Sequence, residues 1–397
     1  MDSSSRTRPV RKPSTRPSWN DPAVRAIVYQ VAALLVVGWV AWFLLSNTLH
    51  NLASRNISTG FDFLGREAGF AIGETPIDYG PADTYRRAIT VGILNTLRVS
   101  AIGIVLATLL GTIIGITRLS RNWLLKTLSS GYIELLRNIP LLLQLFFWYA
   151  LITENTPGPR QAFNPLPGVF ISNRGIIVPG FGDAAGFDYL VWGLLAGVSL
   201  SLILAHFAKR RQQRTGKRIR VARLAVALII GLPWVGWLLG GAPTQLNYPE
   251  LKGFNFVGGI GLSPEFSALL VGLVMYTSAF VAEIVRSGIQ AVSKGQWEAA
   301  EAIGLRRGLV LRLIILPQAL RVIVPPMTST YLNLVKNSSL AVAIGYPDIV
   351  SVVNTTLNQT GQAIEGIMII MGAYLTVSLS ISLFMNWYNR HIALVER

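Results

Sequence analysis

Eight apolar stretches, each about 20 residues long, run through this chain at about 24–45, 89–117, 133–152, 188–207, 221–241, 265–287, 313–335 and 364–386. A helix rises about 1.5 Å per residue, so each stretch matches a hydrocarbon core about 30 Å thick. In that core the backbone must satisfy its own hydrogen bonds, which favours helices for runs of this length. The fold class read from this is all-α and polytopic, with about eight transmembrane helices. Composition agrees, since charged residues are only 14% of the chain, against about 25% in a soluble domain. Mean hydropathy is +0.48.

The formal net charge of +16 raises the prospect of a nucleic-acid partner, but its distribution argues for topology instead. If the N-terminus is cytoplasmic, 24 basic residues fall on inner segments and 7 on outer ones. The inner set includes the run Lys209–Arg223, which suits anionic lipid or contact with a nucleotide-binding partner. The positive-inside rule then places both termini in the cytoplasm. Residues 1–23 are rich in Ser, Arg and Pro and read as a disordered cytoplasmic tail. The first span is too long for a signal segment and stays as an anchor. With no cysteine in the chain, disulfides and thiolate sites are excluded. His50, His206 and His391 are too scattered to suggest a metal site.

Residues 298–317 carry the most specific pattern, EAA-x3-G-x9-I-x-L-P. Glu298, Ala299 and Ala300 open a short run of good helix formers. Gly304 stands where a helix end uses a left-handed residue. Arg306 and Arg307 follow where the helix dipole favours cations. Leu316 and Pro317 suit the start of the next helix or a kink near it. On physics alone this is a capped surface helix or a docking helix. No G-x-x-x-x-G-K-[ST] phosphate loop is present, so ATP, if it drives this protein, binds to another chain.

The pattern resembles, without a gap, the coupling loop of ABC-importer membrane subunits. Further stretches resemble the polar-amino-acid (His/Glu/Gln/Arg/opine) branch of those permeases. These are Thr96–Ser100 with Gly111–Gly115, Tyr132–Gln144, Ala282–Ile289 leading to Gly295–Glu298, Pro317–Arg321 and Asn333–Leu340. The likeness covers about 89–152 and 265–390, a five-helix type I core in two parts. Residues 24–88 add a span and a periplasmic loop, 153–264 insert two spans, and 391–397 form a cytoplasmic tail. This enlarged layout is similar to the larger permease of general L-amino-acid or glutamate/glutamine/aspartate/asparagine systems.

The resemblance implies a multi-pass bacterial inner-membrane permease that imports L-amino acids, broad in range and neutral or acidic. It implies two partner ATPase subunits holding ATP and Mg, a periplasmic binding protein, and a related permease as the other half of a heterodimer. The chain itself would be no enzyme, and it would hold no metal or cofactor. Glu298, Ala299, Ala300, Gly304, Leu316 and Pro317 would couple to the ATPase.

The residues offer further candidates. Lys336, near the outer end of a span, either snorkels or presents a cation to a substrate carboxylate. Asn337, Ser338 and Ser339 would supply hydrogen-bonding groups beside it. The resemblance implies Asp at the position of Asn337 in many members of the branch, and an amide there suits neutral or acidic substrates. Gln144, one turn beyond Pro140, either lines a cavity or bonds neighbouring helices. Glu134 with Arg137, and Glu283 with Arg286, have the i, i+3 spacing of local ion pairs at a gate or a structural joint. Gly111 and Gly115 allow close helix crossing. A secondary transporter or channel, and a non-transporting membrane scaffold, are the alternative readings.

Overall fold

The computed structural model describes residues 22–54, 60–181, 184–215, 221–242 and 246–392. Almost all of the N-terminal tail, and part of the basic inner run, lie outside the described residues. The helices are α1 (Pro22–Ser54), α2 (Tyr85–Arg118), α3 (Trp123–Asn138), α4 (Leu141–Asn155), α5 (Ala184–Thr215), α6 (Ala222–Leu239), α7 (Pro264–Gln290), α8 (Lys294–Ala302), α9 (Arg307–Val310), α10 (Leu316–Asn337), α11 (Ile349–Thr360) and α12 (Ala363–Ile392). Short strands lie between α4 and α5 and between α6 and α7. They are β1 (Phe163–Leu166), β2 (Val169–Ser172), β3 (Gly175–Val178), β4 (Gly180–Phe181), β5 (Leu246–Asn247), β6 (Glu250–Lys252), β7 (Asn255–Val257) and β8 (Ile260–Leu262).

Helix α7 is the centre of the core. It packs against α2, α3, α4 and α10. Ser263 caps its first turn by accepting from Phe266 N at 3.0 Å, with Pro264 just inside. The contact with α2 depends on two glycines. A Cβ on Gly111 would lie 2.6 Å from the Ser278 carbonyl oxygen, and one on Gly115 would lie 2.6 Å from that of Ala282. The G-x-x-x-G spacing therefore does what the sequence predicts, bringing two backbones together. Leu145, Leu269, Leu273 and Tyr346 are fully buried on one side of α7. Val281, Val310, Ile315 and Ala319 are buried toward its other end.

The span expected at 133–152 is not one helix. It divides into α3 and α4, which meet at 106°. Pro140 has no N–H and pushes Ile139 into extended backbone, with φ −95° and ψ 128°. The inserted span at 221–241 is shorter than expected. At 18 residues, α6 is ~27 Å long against a core of about 30 Å. Among the described residues, six helices are long and apolar enough to cross a membrane, or seven if the bent pair counts as one.

Helices α5 and α6 form an antiparallel hairpin. Gly193, Gly197 and Ser201, spaced four apart on α5, face Leu232, Leu228 and Ala225 of α6. Ser201 Oγ donates to the Ala225 carbonyl at 3.1 Å, so the close approach also satisfies a polar side chain.

The Gly- and Pro-rich segment 153–187 contains short strands. β1, β2, β3 and β8 form a four-stranded antiparallel sheet in that order. β8 enters from beyond the α5–α6 hairpin, so the sheet ties both ends of the insertion together. Residues 60–84 also pack rather than float. Phe63 and Ala68 are buried with Tyr85 and Ile89 of α2 and Ile349, Val352 and Val353 of α11. Gly60 N donates to Glu365 Oε1 at 2.7 Å, and Tyr85 OH donates to Gln359 Oε1 at 2.8 Å.

Candidate functional site

The coupling pattern folds as a helix, a glycine turn and a bulged re-entry into the bundle. Gly304 has φ +73° and closes α8 with two bonds, Gly304 N to the Glu301 carbonyl at 2.9 Å and Leu305 N to the Ala300 carbonyl at 3.2 Å. This is the left-handed C-cap that the sequence predicts. Ala300 is buried beside Val285, Val292, Val310 and Ile315, so a small residue is required there. Glu298, Ala299, Glu301 and Ala302 are exposed, and Ile303 is 72% exposed. The loop thus presents a small apolar and acidic surface, held from behind by Ala300.

The chain then re-enters through α9 and a π-helical turn, Leu311–Ile315, before α10. Leu316 N bonds to the Leu311 carbonyl, one residue further back than in an α-helix. Pro317 has no N–H to offer the preceding turn, which accounts for a wider turn at this place. The proline marks a bulge within a continuing helical path.

Near the same end of the bundle, Glu283 is held by two guanidinium groups. Arg286 pairs with it through Nη2 and through Nε, the latter at 3.0 Å, as the i, i+3 spacing predicts. Arg118, at the end of α2, pairs with the same carboxylate and donates from Nε to Ser130 Oγ of α3 at 3.2 Å. No local spacing relates residues 118 and 283, so the sequence does not announce this pair. Glu134 and Arg137 form no ion pair. The Arg137 guanidinium lies over the Phe280 ring, 5.1 Å from its centre, and so turns toward α7 instead of along its own helix.

A cavity of about 230 Å³ lies between α7 and α10. Tyr276, Thr277 and Phe280 line one side; Thr330, Asn333, Leu334 and Asn337 line the other. Of the residues expected on a substrate path, Asn337 borders it directly. Lys336, one residue before, is exposed. Ser338 Oγ donates to the Val335 carbonyl and Ser339 Oγ to that of Lys336, each at 2.7 Å, so both hydroxyls serve the 3₁₀ turn Ser338–Ile344. Gln144 is buried away from this cavity. Its Nε2 donates to the carbonyls of Leu136 and Ile139, both at 2.9 Å, pairing oxygens at the Pro140 bend. It joins α3 to α4.

The opposite end of the bundle carries a second polar cluster. Arg98 pairs with Glu74 at 3.3 Å and lies over the Phe266 ring at 4.7 Å. The other Glu74 oxygen accepts from Ser263 N at 3.0 Å. Asp348 caps α11 by accepting from Ser351 N at 2.8 Å, and burial pushes its carboxyl up to about 7.

Residues 103–394 match the family model described as "Binding-protein-dependent transport system inner membrane component". YhdX of Escherichia coli (strain K12), whose name places it provisionally among amino-acid ABC transporter permeases, is 53% identical over 96% of this chain and 97% of its own. The chain belongs to the amino-acid ABC transporter permeases. The general L-amino acid transport system permease protein AapQ of Rhizobium johnstonii is 46% identical, covering 97% of this chain and 96% of that one. The glutamate/glutamine/aspartate/asparagine transport system permease protein BztB of Rhodobacter capsulatus is 42% identical, covering 95% and 96%. A permease of this family is a multi-pass inner-membrane translocation component that works with an ATPase and a binding protein. The match to each of these three relatives runs over nearly the whole length of both chains.

Proposed function

We propose that this permease imports neutral and acidic L-amino acids, with α8 and Gly304 receiving the motion of the partner ATPase. The observation that carries the reading is the coupling segment, whose exposed Glu298–Ile303 surface is backed by the buried Ala300 and ends in a left-handed glycine. Two ATPase subunits bind ATP and Mg, and the permease forms no covalent intermediate. Its partner in the membrane is a related permease, so each ATPase contacts one coupling loop. Both termini and the 209–223 run face the cytoplasm, on the strength of the basic-residue distribution.

The substrate path runs beside the α7–α10 cavity. Asn337 and Asn333 offer amide groups to the amino-acid side chain or ammonium, and the exposed Lys336 offers a cation to the α-carboxylate. An uncharged amide at 337 leaves acidic side chains tolerated. Glu283, clamped by Arg118 and Arg286, keeps α2, α3 and α7 together at the inner end while the bundle rocks. A secondary transporter would place an ionisable group at mid-membrane for ion coupling, and the coupling segment would have no purpose in it.

The test is uptake of glutamate, glutamine and leucine into proteoliposomes containing the whole complex and its binding protein. Uptake should require hydrolysable ATP inside and should stop with a non-hydrolysable analogue. Uptake that persists with the analogue, or follows an imposed ion gradient, overturns the reading.

A further inference from the structure

The largest cavity among those described is distant from the substrate path. Its volume is about 920 Å³, and it lies between the ends of α2 and α7, the start of α3, and the α8–α10 segment. We infer that this groove binds one anionic phospholipid of the cytoplasmic leaflet, with the headgroup on Lys294 and Arg312 and an acyl chain along Ile116, Leu125, Leu311 and Leu316. The inference rests on the proposed function for one point only, namely which leaflet this end of the bundle faces.

Three observations select that occupant. The wall is mostly apolar and continues onto exposed surface, since Ile116, Leu125, Leu311 and Leu316 are all exposed. A soluble anion would leave that wall wet, whereas an acyl chain fills it. Lys294 and Arg312 are exposed lining residues without an ion pair among the described residues, and no carboxylate lines the groove. Two cations and no anion favour an anionic over a zwitterionic headgroup. Finally, the groove lies where crossing helices end, at Leu119–Ser120 and Gln290, with the Trp297 ring in its lining, as suits a headgroup level. Lys294 and Trp297 belong to the coupling helix, and Leu311, Arg312 and Ile315 to the π-helical turn. A bound lipid therefore braces the coupling segment against α2.

The chain has no native cysteine, so Ser120→Cys places a single bimane label in this subunit at the groove. The whole complex is titrated with doxyl-phosphatidylglycerol or doxyl-phosphatidylcholine. Each basic side chain should contribute about a fivefold preference, so the anionic lipid should quench at a concentration roughly thirtyfold lower. The double variant Lys294→Ala/Arg312→Ala should lose the preference while keeping weak quenching by both lipids. Leu125→Trp, which fills the groove, should reduce quenching by both. Native mass spectrometry of the unlabelled wild-type complex should retain phosphatidylglycerol over phosphatidylcholine. Equal quenching by the two lipids, an unchanged preference in the double variant, or a cross-link from Ser120→Cys to a partner chain would overturn the site. Lost quenching with ATP-driven uptake intact strikes this site alone; lost uptake with selective quenching strikes the transport reading alone.

Discussion

Asn337 and Lys336 are sequence neighbours with different surroundings, and this separates their proposed roles. Asn337 borders the α7–α10 cavity, whereas Lys336 is exposed beside it. A cation that meets the α-carboxylate acts on every substrate alike. Lys336→Ala should therefore weaken uptake of all amino acids by about ten- to a hundredfold, the equivalent of one charge-assisted hydrogen bond of roughly 1.5–3 kcal/mol. Asn337→Asp adds an anion at the cavity wall, so it should penalise glutamate and aspartate and favour arginine and lysine. Competition uptake on both variants decides this, and an unchanged ranking for Asn337→Asp moves the site elsewhere. Asp348 makes a pH prediction. Its carboxyl is raised from 3.8 to about 7, so the folded chain holds a proton that the unfolded chain releases. Stability should fall as pH rises from about 4 to about 7 and then level off. Asn can replace Asp as a cap and cannot ionise. Thermal unfolding in detergent should show a flatter pH profile for Asp348→Asn, and an identical slope would show that another group sets it.

At the scale of elements, the local shape of residues 298–317 was legible because its signals are local, while its proposed coupling role comes from the family resemblance. Gly304 ends a short run of helix formers and Pro317 disturbs the turn before it, and both follow from the local sequence. The burial of Ala300 beside Val285, Val292, Val310 and Ile315 does not. Gly304→Pro would force φ to about −65° where +73° is needed and remove a hydrogen-bonding N–H. Glu298→Lys reverses an exposed charge on the same helix. Both variants should insert and abolish uptake, with membrane fractionation and transport measured together; normal uptake in either one removes α8 from the coupling role. Non-local relations were not legible. Arg118 reaches Glu283 across 165 positions, and Asn95 bonds the carbonyls of Glu74 and Pro347 at 2.9 Å each. No period or spacing encodes such pairs. The bend at Pro140 had a readable proline, but an apolar run of 20 residues outweighed it in the span reading. Gln144 completes that bend, which a helical wheel cannot reveal. Helix α11 leaves no span signal in the sequence, because its 12 residues mix Val with Thr and Asn and are too few to cross a bilayer of about 30 Å.

For the whole molecule, the two additions to the core differ in how they attach. Residues 60–84 share a buried cluster with α2 and α11, so this stretch is part of the bundle at the end opposite α8. The α5–α6 hairpin makes its helix packing with itself and is fastened through strands, with β4 on β5 and β3 on β8. If 24 basic residues face inward and 7 outward, that strand layer is periplasmic and the α5–α6 connection is cytoplasmic. The arrangement gives opposite predictions for two cysteines. Asn255→Cys, on the β6–β7 hairpin, should react with a membrane-impermeant maleimide in intact spheroplasts. Gln212→Cys, near the end of α5, should react only after permeabilisation. The chain supplies no competing thiol, so the pattern is read directly from this subunit. Labelling of Gln212→Cys from outside would invert the proposed membrane orientation and move the coupling segment away from any cytoplasmic ATPase, overturning the role proposed for α8.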